Sequence, residues 1–130
     1  MAQPRGRRPL TFPYDRRRSP PAPVLPVRVG VPGAEPAAAL LALVDSGADL
    51  TVLPESVPAA LGLPAVGQLT VRGVAGSAQA PVYAAALEVA GRQRVAEVVA
   101  LGGEALLGRN VLNAWVLTLD GPAETLRLGR

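Results

Sequence analysis

Short apolar runs separated by Gly and Pro recur along the chain from Val24 onward, a rhythm that fits a small all-β domain better than a helical one. Val24 to Val31 reads as an edge strand, because Pro26 has no N–H to give to a central ladder. Ala37 to Val44 is a continuous apolar run whose length and sequel favour a buried strand. Thr51-Val52-Leu53 is a short strand, after which Pro54 opens a brief helical segment that runs to Leu61 and stops at Gly62. Gln68 to Val74 and Pro81 to Val89 flank Ala75-Gly76-Ser77 and read as a hairpin. Gln93 to Leu101 forms a further strand entered through Ala90-Gly91-Arg92. Leu106 to Ala114 suits one short helix, and Val116 to Leu119 pairs with Thr125 to Leu128 around Gly121-Pro122. The expectation is an all-β, barrel-like body with one or two short helices.

Composition narrows the chemistry. At 130 residues with 49% hydrophobic content, the chain supports one core made almost wholly of small aliphatic side chains. Neither Cys nor His occurs, which removes disulfides, thiolate and imidazole metal ligands, Cys nucleophiles and any Ser-His-Asp arrangement. Carboxylate, hydroxyl and Arg chemistry remains, with no metal and no cofactor expected. Charge is uneven: residues 1–23 hold six Arg against Asp15, a net +5, whereas residues 24–130 carry −2. That Arg- and Pro-rich stretch reads as a disordered tail, and residues 24–130 as the domain. The tail lacks the interleaved aromatics that stack on bases, which argues against a nucleic-acid partner. No apolar stretch of about 18 residues and no signal-peptide core are visible, so a cytoplasmic protein without a membrane span is expected.

The candidate chemistry centres on Leu43-Val44-Asp45-Ser46-Gly47-Ala48-Asp49. A buried strand delivers Asp45 to a turn, and Gly47 lets the backbone approach the carboxylate closely enough to donate to it. Ser46 offers a hydroxyl to brace the turn, and Asp49 is a second acid placed to hold a cation. Asp-Ser-Gly alone is ordinary turn chemistry. The flanks make it specific: Thr51-Val52-Leu53-Pro54 supplies a second strand directly after it, and Leu106-Leu107-Gly108-Arg109-Asn110 follows far downstream.

With those motifs in that order, the chain resembles the retropepsin-like aspartic peptidases, single-domain relatives of the pepsin fold, from roughly Val24 to Leu128. The resemblance implies that Asp45 is catalytic, that Ser46 ties two subunits together beneath the site, and that Arg109, after Gly108, pairs with Asp49. It also implies that Gly73, Val74, Ala75, Gly76 and Ser77 form a flap closing over substrate. Amide hydrolysis by carboxylates needs a base to activate water and an acid to protonate the carbonyl oxygen, and one chain carries a single such Asp. A symmetric homodimer with an Asp45/Asp45′ dyad and a bound water is therefore expected, acting as an endopeptidase on extended peptides or proteins. The competing expectation is a catalytically silent dimeric peptide-binding module of the same fold. A basic-tailed nucleic-acid adaptor rests on the Arg cluster alone.

Overall fold

A computed structural model describes residues 8–129. Ten strands and two short helices follow one another as β1 (Leu10–Pro13), β2 (Val24–Gly30), β3 (Ala38–Val44), β4 (Thr51–Leu53), α1 (Ser56–Leu61), β5 (Ala65–Gly73), β6 (Gly76–Val89), β7 (Arg92–Ala100), β8 (Leu106–Leu107), α2 (Arg109–Leu112), β9 (Val116–Asp120) and β10 (Thr125–Gly129). Six strands, in the order β2-β3-β8-β4-β7-β6, close on themselves through the β2–β6 pairing. Closure removes the free edges that an open sheet of this size would carry. Leu25, Val29, Leu53, Leu87, Val98 and Leu107 fill the interior, each at most 2% exposed. No helix among the described residues is long and apolar enough to cross a membrane.

Two features of the barrel set up the site. The first is β8, which pairs parallel with β3 through Leu43↔Leu106 and Val44↔Leu107, and meets β4 at Val52↔Leu106. A two-residue strand thus fills the gap between the strands on either side of the Asp45 turn. The second is β6, whose far half lies in the barrel beside β7 while its first half leaves the barrel with β5 as a long hairpin.

Three expectations need correction. Strand β2 is not an edge, since β3 and β6 pair on its two sides; Pro26 is accommodated because the β6 pairing begins only at Val27. The helix expected over Leu106 to Ala114 is confined to Arg109–Leu112, because Leu106 and Leu107 are drawn into the ladder between β3 and β4. The Arg- and Pro-rich stretch is not uniformly disordered. Its Leu10–Pro13 segment pairs antiparallel with β10, and residues beyond it fold back through an Asp15↔Ala22 bridge. Average composition concealed Leu10, Phe12 and Tyr14, and Phe12 and Tyr14 pack against the core. Residues 1–7 of the expected tail lie outside the described residues. With β1, the closing hairpin becomes a separate three-stranded sheet, β1-β10-β9.

Candidate active site

Asp45 sits where β3 ends. Its own N–H donates to the Leu107 carbonyl at 3.0 Å, so bonding to β8 continues one residue past the end of β3 and holds the base of the turn. The Ala48 N–H donates back to the Asp45 carbonyl at 3.2 Å, and the Gly47 N–H donates to Asp45 Oδ1 at 3.0 Å. A Cβ on Gly47 would stand 3.3 Å from that same carboxylate oxygen, tighter than most such contacts. The small residue is therefore part of how the carboxylate is approached.

The late motif clamps the turn from behind. Arg109 Nη1 donates to the Ser46 carbonyl at 2.7 Å, and its Nη2 pairs with Asp49 Oδ1. The Arg109 N–H donates to the Ala48 carbonyl at 2.8 Å, and the Asn110 N–H to the Asp49 carbonyl at 3.2 Å. Gly108 is extended at φ −91°, so its requirement is space rather than torsion. A Cβ there would lie 2.5 Å from both the carbonyl carbon and the oxygen of Leu50. Only glycine lets the two chain segments lie this close.

Thr51 and Asn110 complete the clamp, and sequence reasoning gave neither a hydrogen-bonding role. Thr51, 1% exposed, is the buried polar side chain of the described core. Its hydroxyl accepts from the Gly108 N–H at 3.1 Å and donates to Asn110 Oδ1 at 3.0 Å, while the Thr51 N–H donates to the same Oδ1 at 3.0 Å. Asn110 Nδ2 reaches onward to the Glu97 carbonyl at 2.9 Å. A hydroxyl in an otherwise apolar three-residue strand was the available signal. Ser46 differs from expectation within one chain: it is exposed, and among the described residues its hydroxyl makes no hydrogen bond that braces the turn.

A cavity of about 400 Å³ opens beside the turn, with Asp45, Gly47, Ala48 and Asp49 on one side and Leu69, Val71, Val99 and Leu101 on the others. Val52 lines it, whereas Leu106 is paired in β8 and does not. Gly73, Val74, Ala75, Gly76 and Ser77 line a neighbouring hollow of about 480 Å³ that shares Val71 and Leu101 with the first. The flap-like tip and Asp45 are thus adjacent in the fold but not brought to one cavity by this chain alone. A third hollow, of about 500 Å³, lies between the N-terminal arm and Val24, Pro26 and Leu41, apart from Asp45. Trp115 packs on the core with the Arg92 guanidinium 5.6 Å above its ring, a structural position. Asp120 accepts from the Ala123 N–H, as a turn residue does.

Residues 26–129 match the family model described as Aspartyl protease. The chain belongs to that family. The match runs from Pro26, within β2, through the late motif, and it makes the protein a peptide hydrolase of the aspartic type, of the retropepsin-like kind. No curated protein matches the chain.

Proposed function

We propose that the protein is an endopeptidase in which Asp45 of one copy and Asp45 of a second copy form the hydrolytic pair. The observation that carries this reading is the acid inventory of the cleft. Asp45 and Asp49 are the acids lining it, and Asp49 is committed to Arg109. One carboxylate is therefore left for a reaction that needs two. A symmetry mate supplies the other without any further residue.

In that pair one proton is shared. The ionised carboxylate takes a proton from a water held between the two, the water oxygen bonds to the peptide carbonyl carbon, and the protonated carboxyl gives its proton to the carbonyl oxygen. Collapse of the resulting gem-diol passes a proton to the departing nitrogen, and the C–N bond breaks. Gly47 holds one oxygen of Asp45, Arg109 and Asp49 fix the turn around it, and Gly108 admits the clamp. The Gly73–Ser77 tip closes on an extended peptide, whose apolar side chains fit a cleft walled by Leu69, Val71 and Val99.

Strand β9 supports the two-copy reading. It is the outer strand of the terminal sheet, with Val116 and Leu119 61% and 51% exposed, and it leaves α2, which sits against the turn. Purified wild type and Asp45→Asn, incubated with a mixed peptide library over pH 4 to 7, test the reaction. Cleavage by the wild type with a loss of at least about a hundredfold in the variant is expected. Equal cleavage by both would remove Asp45 from the chemistry, and peptide binding without cleavage would favour the silent module. Specific activity should fall on dilution; a constant value would exclude a dissociating pair.

A further inference from the structure

The β5–β6 hairpin has two unlike faces. Its register sets Leu69 opposite Ala80 and Val71 opposite Ala78, and Val71 packs against the small buried cluster of Ala80, Val82 and Val99. Side chains alternate along a strand, so Thr70 and Arg72 leave β5 on the other face, where Gln79 and Ser77 stand opposite them on β6. The first of these polar pairs is closed on itself, since Gln79 Nε2 donates to Thr70 Oγ1 at 2.9 Å. The second is open: among the described residues, neither the Arg72 guanidinium nor the Ser77 hydroxyl has a hydrogen-bond or ionic partner.

The open pair stands beside the reaction. Arg72 lines the Asp45 cavity, and Ser77 lines the adjoining hollow that shares Val71 and Leu101 with it. The other charges of the cavity are accounted for, because Asp49 is paired with Arg109 and Asp45 serves the proposed hydrolysis. Arg72 is therefore the cation of the cavity without an acid of its own among the described residues. A guanidinium keeps its charge and carries five N–H donors in one plane, with no capacity to accept. An apolar peptide leaves those donors to water, whereas a carboxylate takes two of them in parallel and can accept from a nearby hydroxyl as well.

We propose that Arg72, assisted by Ser77, is a specificity-determining residue that selects peptides carrying Asp or Glu near the cut bond but not at it. The apolar wall of Leu69, Val71 and Val99 takes side chains next to the cut, and the rim at Arg72 reads the chain beyond them. Two copies set one Arg72 on each side of the Asp45 pair, so the preference holds on both sides of the cut. The proposal rests on the hydrolytic reading for what is cleaved, but not for the choice of acidic peptide.

A peptide cleaved by wild type is remade with Glu, Gln or Lys at one position at a time on each side of the cut. At the selected positions kcat/KM for Glu should exceed that for Gln by about three- to fivefold and Lys should fall below both, with the difference carried by KM and shrinking as salt rises. Arg72→Gln should erase the advantage of Glu while leaving the Gln peptide within about twofold, and Arg72→Glu should pass the advantage to Lys. Ser77→Ala should lose less than Arg72→Gln. Arg94→Gln, which removes an arginine of β7 that does not line the cavity, should change nothing. No position favouring Glu, an advantage that survives Arg72→Gln, an equal loss in Arg94→Gln, or a loss confined to kcat would overturn the proposal. Absence of cleavage by wild type would instead overturn the hydrolytic reading. Binding of labelled library pools, with Glu or Gln at the same positions, to Asp45→Asn then decides: tighter binding of the Glu pool that vanishes on adding Arg72→Gln upholds the proposal, and equal binding of the two pools overturns it.

Discussion

The Asp45 turn and the Gly73–Ser77 tip are built from the same materials, small residues and glycines between two strands, yet they differ in nearly every physical respect. The turn and the strand that follows it exchange hydrogen bonds with Gly108, Arg109 and Asn110, residues 57 to 63 positions away in sequence. Among the described residues the tip receives no hydrogen bond beyond its own ladder: Gly73 faces Gly76 across the Val74-Ala75 connection, and Val74 stands fully in solvent. A Cβ on Gly108 would strike backbone, whereas one on Gly73 or Gly76 would meet open space. Local composition therefore does not decide rigidity; the arrival of a second chain segment does. A site that must hold a carboxylate still while admitting a polymer uses both solutions side by side.

Substitutions can break this contrast. The largest effect is expected for Gly108→Ala, which forces the clamp away from Leu50; a loss of about 2–3 kcal/mol in urea unfolding, with activity lost as well, is the expected outcome. Thr51→Val keeps the shape but strands the Gly108 N–H and one lone pair of Asn110, so about 1–3 kcal/mol should be lost by the same measurement. At the tip, Gly76→Ala meets no neighbour but must hold φ +120°, so strain of about 1–2 kcal/mol should be relieved by local rearrangement and read out in KM more than in unfolding. Val74→Ala should leave stability within about 0.5 kcal/mol. Should Val74→Ala prove as costly as Thr51→Val, the tip is anchored and the contrast fails.

The smallest effect concerns the arm. The hydrogen bond from Arg17 holds the Asp15 carboxyl below the ordinary carboxylate range, and the same contact raises Arg17. A depressed acid contributes stability that is present above its unfolded pKa and is lost as pH falls through the lowered folded value. The Asp15–Arg17 contact should therefore persist through mildly acidic conditions and release only below the usual Asp range. Amide exchange across residues 14–22, followed as pH is lowered, should show that release. Asp15→Asn should loosen the Asp15–Arg18 turn at every pH, and equally fast exchange there in wild type at neutral pH would remove the ionic account.

Much of this was legible in the residues. Runs between glycines and prolines located the barrel strands because burial on a pleated surface imposes just that spacing. Asp45, Gly47 and the late Gly108-Arg109 pair stood out because their chemistry is unusual in combination. What stayed hidden depended on contacts distant in sequence. Leu106-Leu107 looks helical until β3 and β4 are placed on both sides of it, and Leu10–Pro13 looks disordered until β10 is available to pair with it. Thr51 gave its type but not its three hydrogen bonds to Asn110 and Gly108. The cleft wall at Leu101 is invisible in a sequence whose apolar residues are so numerous and so alike.

The terminal sheet has a consequence for how such a protein is kept in check. Strands β1, β10 and β9 pair within one chain, and Leu126 and Leu128 are buried in the same core as the barrel strands of that chain. No strand must be borrowed for the polypeptide to reach its folded state. Under the two-copy reading, synthesis and switching-on then become separate events: a scarce chain is a finished but idle half, and abundance or confinement in a small volume, rather than folding, is what turns it on.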